Sequence, residues 1–90
     1  MPRYMVERTF PDRLVIPTNE QGAGAMRKVV DTNAGKGVNW VISYVKDDKT
    51  KTFCVYDGPD PESIRVVAER NGLPVDRITE VRVLDPYFYV

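Results

Sequence analysis

From Arg3 to Arg8 the chain alternates, with Tyr4 and Val6 on one side and Met5 and Glu7 on the other, the two-residue period of a strand. Val38–Val45 and Thr52–Asp57 are two more strand-like runs, and the charged loop Lys46–Lys51 between them reads as a hairpin connection. Ile78–Leu84 reads as a fourth strand. Between the first two strands, Ala25, Met26, Val29 and Val30 recur at the spacing of one helix face. Thr18 and Gln21 have the spacing of a capping box ahead of that helix, and Asn33–Gly37 ends it. Gly22 and Gly24 weaken its first turns by up to about 1 kcal/mol each relative to alanine, and glycine there permits close packing on a sheet. Phe10–Pro17 is a connector bounded by prolines that suit no sheet interior.

The second helix has sharper punctuation. Asp60 is placed as N-cap, Pro61 at the first helical position and Glu62 at the positive end of the helix dipole. Ile64, Val67 and Ala68 form its apolar stripe. Asn71-Gly72-Leu73-Pro74 is a stop, with glycine in the left-handed conformation, leucine folding back and proline forbidding continuation. Asp85–Val90 is an aromatic tail, read as docked on the domain. The order β-α-β-β-α-β predicts an α+β, ferredoxin-like fold with residues 1–90 as a single domain. Right-handed crossovers and the tight hairpin give an antiparallel sheet of order 4-1-3-2 with both helices on one face.

Composition narrows the chemistry. Thirteen basic residues balance thirteen acidic ones, so there is no electrostatic footprint for nucleic acid and no polybasic membrane signal. No apolar run approaches the ~20 residues of a membrane span, and the charged, alternating N-terminus does not read as a signal peptide. The one cysteine, Cys54, points to a reducing cytoplasm. Histidine is absent, which removes Ser-His-Asp and Cys-His nucleophile pairs and the commonest zinc ligand. No P-loop, CxxC or EF-hand spacing occurs, and Gly22-x-Gly24 lacks the third glycine of a dinucleotide loop.

The strands carry apolar residues on both parities. With Tyr4, Val6, Val41, Val45, Phe53, Val55, Val81 and Val83 assigned to the helices, the opposite face holds Met5, Glu7, Trp40, Ile42, Tyr44, Cys54, Tyr56, Glu80 and Arg82. A contiguous apolar and aromatic face of this kind is expected to meet another sheet, most economically a second copy of the chain through a two-fold axis. The candidate ligand cleft enclosed between two such faces is Glu7, Trp40, Ile42, Tyr44, Cys54, Tyr56, Glu80 and Arg82. Within it Trp40 reads as a packing anchor, Glu80 and Arg82 as partners of one another or of Glu7, and Cys54 as a small buried hydrophobe.

The segments PRYMVERTFPD, GVNWVISYVKDD with KTFCVYD, and AERNGLPVDRITEVRVLDPYFY resemble the small bacterial nickel-binding-protein-like family, a domain of unknown function with a ferredoxin-like fold. The likeness covers nearly the whole chain and is weakest between Leu14 and Lys36. It implies a dimeric α+β barrel with a metal, nickel, bound on or near the sheet. The family pattern usually has histidine where this chain has Ile42, which leaves Cys54 and Glu7, with Tyr44 behind them, as the remaining donors.

Three functions follow as expectations. The first is a small homodimeric binding protein holding nickel or a small apolar ligand in the cleft, with no assigned catalytic residue. The second is a structural or regulatory dimer without metal. The third is a dimeric α+β barrel enzyme of monooxygenase, isomerase or cyclase type, with Glu7 or Glu80 as base and Tyr44 or Tyr56 donating to an oxyanion.

Overall fold

The computed structural model describes residues 1–16 and 18–89. Its elements are β1 (Arg3–Thr9), α1 (Glu20–Ala34), β2 (Asn39–Val45), β3 (Lys51–Asp57), α2 (Pro61–Arg70) and β4 (Arg77–Val81), followed by a 3₁₀ turn, Pro86–Tyr89. The four strands form one antiparallel sheet in the order β2-β3-β1-β4, the expected 4-1-3-2 arrangement read from its other edge. The fold is α+β and ferredoxin-like.

The caps divide the two helices. Asp60 accepts from the Ser63 N–H at 2.7 Å, with Pro61 at the first helical position, as the sequence predicts. At the other end Gly72 takes φ +68° and the Leu73 N–H returns to the Ala68 carbonyl at 2.9 Å. At α1 the capping residue is Asn19 rather than Thr18. Its carboxamide oxygen accepts from the Gln21 and Gly22 N–H groups at 3.0 and 3.2 Å, and asparagine is among the strongest N-caps.

The core lies between the sheet and α2. Tyr4, Val6, Cys54 and Tyr56 from the two central strands meet Ile64 and Val67, with Val38, just before β2, completing the cluster. Ile64 and Val6 are wholly buried. α1 lies beside α2 over β2, but only Gly22 and Asn33, near its two ends, are buried. Ala25 and Val30, assigned to its apolar face, are exposed, and Met26 and Val29 are half-buried. Gly24 meets nothing closer than the Arg27 side chain, so no close packing requires it.

Strand register corrects the assignment of faces. Val6 pairs with Cys54 and Tyr4 with Tyr56, and paired residues share a face, so Cys54 and Tyr56 point toward the helices while Phe53 and Val55 lie on the uncovered side. On β2 a bulge between Trp40 and Ile42 breaks the alternation: Trp40 pairs with Tyr56 on the helix side, Ile42 with Val55 on the uncovered side. On β4, Glu80 pairs with Tyr4 and Val81 with Arg3, so these two sides are exchanged as well. β4 ends at Val81, short of the expected Leu84, and Arg82 and Val83 lie beyond it. Tyr87 in the tail is 83% exposed rather than docked. The packing of Phe88, Tyr89 and Val90, and Pro17 in the connector, fall outside the described residues.

Candidate functional site

The eight residues expected to share one cleft fall in three places. Glu7, Ile42 and Tyr44 are on the uncovered sheet face. Trp40, Cys54 and Tyr56 are on the opposite face, beneath α1. Glu80 and Arg82 lie in a shallow groove of about 530 Å³ at the end of the sheet, beside Arg3, Asp57 and Val81. Cys54 and Glu7, the two proposed metal donors, stand on opposite faces of adjacent strands, so one protomer cannot bring them to one ion.

The uncovered face is nevertheless apolar. Met5, Val55 and Phe53 form its centre, and Val41, Ile42 and Tyr44 extend it with 41%, 46% and 60% exposure. Charge is confined to its borders. Arg3 donates through Nε and Nη2 to both Asp57 carboxylate oxygens at 2.7 and 3.0 Å, which holds the Asp57 carboxyl below the usual aspartate range. The Glu7 carboxylate faces the Lys51 ammonium at 3.5 Å, and that ammonium lies 5.4 Å from the Phe53 ring centroid. Glu7 therefore pairs with Lys51, not with Glu80's neighbour Arg82. Tyr44 and Glu7 both flank Phe53, one strand to each side, ~10 Å apart by strand spacing, too far for a base and a phenol to act on one group.

A second, less open space lies on the other side. Where α1 spans between its buried ends, a cavity of about 490 Å³ opens under Met26 and Val29. Its floor is Thr52, Cys54 and Tyr56 of β3, one wall is Trp40, Ser43 and Val45 of β2, and Leu73 and Asn71 close the far end. The mouth is Phe10, Leu14 and Ile16 of the connector. This segment is held against the hairpin by the Phe10 and Leu14 N–H groups, which donate to the Thr50 and Lys49 carbonyls at 2.7 and 2.8 Å. Phe10–Ile16 reads from sequence only as a link between elements.

Polar groups in this apolar space are few and directed. The Trp40 indole N–H donates to Ser43 Oγ at 2.8 Å, and the Cys54 thiol donates to Thr52 Oγ1 at 3.5 Å. Arg8 is the outstanding one. It sits at the core parity of β1, after Tyr4 and Val6, and is 2% exposed. Nη1 donates to the Pro74 carbonyl at 2.6 Å and Nη2 to the Tyr56 hydroxyl at 3.2 Å. Its Nε–H has no partner among the described residues. Burial pushes the Tyr56 phenol above its ordinary pKa, and the Arg8 charge offsets part of that rise. Lys28 and Arg70 stand at the exposed rim, and among the described residues no Asp or Glu lines the cavity.

Comparison with known proteins identifies the lineage. A family described as nickel responsive protein, SCO4226-like, matches residues 4–81. The chain belongs to this SCO4226-like family. The crystal structure of SCO4226 from Streptomyces coelicolor A3(2) superposes with a TM-score of 0.71 at 20% sequence identity, covering 92% of this chain and 99% of that one, a likeness of fold. No curated protein matches the chain.

The family description raises nickel, and the donor set can be judged against it. Nickel sites draw on imidazole and thiolate. This member has no histidine, its single thiol is buried beneath α1, and among the described residues no three His, Cys, Asp or Glu side chains come together. The described residues of one protomer do not fit a nickel centre. No helix among the described residues is long and apolar enough to cross a membrane.

Proposed function

We propose that this chain is a small-molecule-binding protein whose ligand site is the cavity beneath α1, and that two copies pair through their uncovered sheet faces. The cavity carries the first part of the reading. Its volume of about 490 Å³ falls in the range of small-ligand sites, roughly 300–1,000 Å³, and it combines an apolar lining with a few oriented polar groups. The second part is supported by the contiguous apolar surface from Met5 to Tyr44, bordered by ion pairs.

The experiment is a titration of ¹⁵N-labelled protein with decanol, followed by amide shifts and by the emission of the single tryptophan, Trp40. Saturable shifts at Met26, Val29, Trp40 and Thr52, with Met5 and Thr79 unmoved, are expected. A flat titration, or shifts confined to the uncovered face, would overturn the cavity as the site.

A metal-related role is a second reading, favoured by the family's description as nickel responsive. The donor chemistry of this chain argues against a site within one protomer, so in this reading the coordination set would have to come from elsewhere. The enzyme reading loses its expected acid–base pairs. Among the described residues no carboxylate lines the cavity, and the phenol that does, Tyr56, already accepts from Arg8.

A further inference from the structure

We propose that the ligand of the cavity is an apolar carboxylate, with the Arg8 guanidinium as its headgroup partner. This rests on the reading of the cavity as a binding site and specifies what it selects. A guanidinium has five N–H donors and is costly to bury unless it is paired and fully hydrogen-bonded. Arg8 is 2% exposed, yet among the described residues only two of its donors meet protein acceptors, both neutral. The ion pairs among the described residues are Arg3–Asp57, Lys46–Asp48 and Lys51–Glu7, none of which involves Arg8. The buried charge thus sits in the cavity lining, and among the described residues its Nε–H has no partner.

The surroundings point to the same ligand. In a chain with thirteen acidic and thirteen basic residues, the described lining holds three cations, Arg8, Lys28 and Arg70, and among the described residues no anion. Lys28 and Arg70 add positive potential at the rim, and Arg8 continues it within the lining. One buried guanidinium with this unmatched donor suits a single carboxylate, through short charge-assisted hydrogen bonds. The remaining walls, Phe10, Leu14, Met26, Val29 and Leu73, accept an apolar tail and offer it no polar partner.

The test compares decanoate with decanol, which share a tail and differ at the headgroup, by isothermal titration of the full chain near neutral pH. Decanoate should bind about tenfold more tightly or better, the expected yield of a hydrogen bond to a charged group. Arg8→Met should abolish the preference while retaining decanol binding. If that variant does not fold, the exposed rim pair Lys28→Glu with Arg70→Glu should lower decanoate affinity severalfold and leave decanol unchanged. In the wild type the preference should vanish below a pH of about 4, as the carboxylate protonates. Equal binding of the two compounds overturns the carboxylate assignment and leaves the cavity as a binding site. Binding of neither overturns both. A decanoate preference that survives Arg8→Met removes Arg8 from the headgroup role.

Discussion

Ile42→Asp tests whether the uncovered sheet face pairs with a second copy. Burying a whole aliphatic side chain is worth about 1.5–3 kcal/mol. Ile42 is already half covered, at 46% exposure, so sealing the remainder contributes about 1 kcal/mol. In a two-fold interface each position occurs twice, which makes about 2 kcal/mol per dimer, or roughly thirtyfold in the dissociation constant. Aspartate adds the cost of bringing two carboxylates out of water, so thirtyfold is a lower bound. Sedimentation equilibrium measures the dissociation constant directly. Because Ile42 lies at the surface of the protomer, the variant's own melting curve should stay close to that of the dissociated wild type. Val30→Asp, at a site 49% exposed on α1, matches the perturbation in size on the other side of the molecule and should leave association unchanged. A wild type that sediments as a single subunit at every concentration reached, or an Ile42→Asp dissociation constant equal to wild type, would refute the reasoning.

Ile64→Ala, at a wholly buried core position, should destabilise by about 2–5 kcal/mol and lower the melting temperature by about 10 °C or more; a thermal melt that barely moves would displace the core from α2. Arg3 holds the Asp57 carboxyl below its ordinary pKa, so this pair's stabilisation is fully present above the unfolded aspartate value, near 4, and is lost as pH falls through the lower folded value. Wild type should therefore lose more stability than Arg3→Met on acidification below about pH 4 in parallel denaturant titrations, and equal losses would count against the pair. Ile42→His adds an imidazole but places it opposite Val55, on the face away from Cys54. Nickel titration of this variant should show no affinity that depends on Cys54, and a gain abolished by Cys54→Ala would contradict the strand register.

The element order, the strand order and the α2 caps were legible because each rests on local chemistry: Asp60-Pro61 opens a helix and Gly72 closes it wherever the chain goes. Face assignment was legible on β1, where Glu7 marks the outer parity. It was not legible on β3, because Thr52, Cys54 and Tyr56 are no more core-like than Phe53 and Val55; only pairing with β1 decides between them. On β2 nothing in the residues announces the bulge that separates Trp40 from Ile42. Asn19 and Thr18 are both good caps, and only backbone geometry chooses. The candidate site was missed for a related reason. Arg8 reads as the end of a strand, although it follows Tyr4 and Val6 at the same parity, and a positive charge at a core position is itself a signal. The connector from Phe10 to Ile16 carried another, since Phe10, Leu14, Val15 and Ile16 are unusually greasy for a link between elements.

The way α1 is anchored sets the traffic into the space it covers. Gly22 and Asn33 fix the helix near both ends, and the Asn71 amide grips the Asn33 carboxamide at 3.2 Å. Swinging the helix outward would break both moorings together. A ligand of the proposed site would therefore come and go sideways, past Phe10, Leu14 and Ile16, which are tied to the hairpin by two backbone hydrogen bonds. Its residence time would belong to that strap, while the girder above it stays in place.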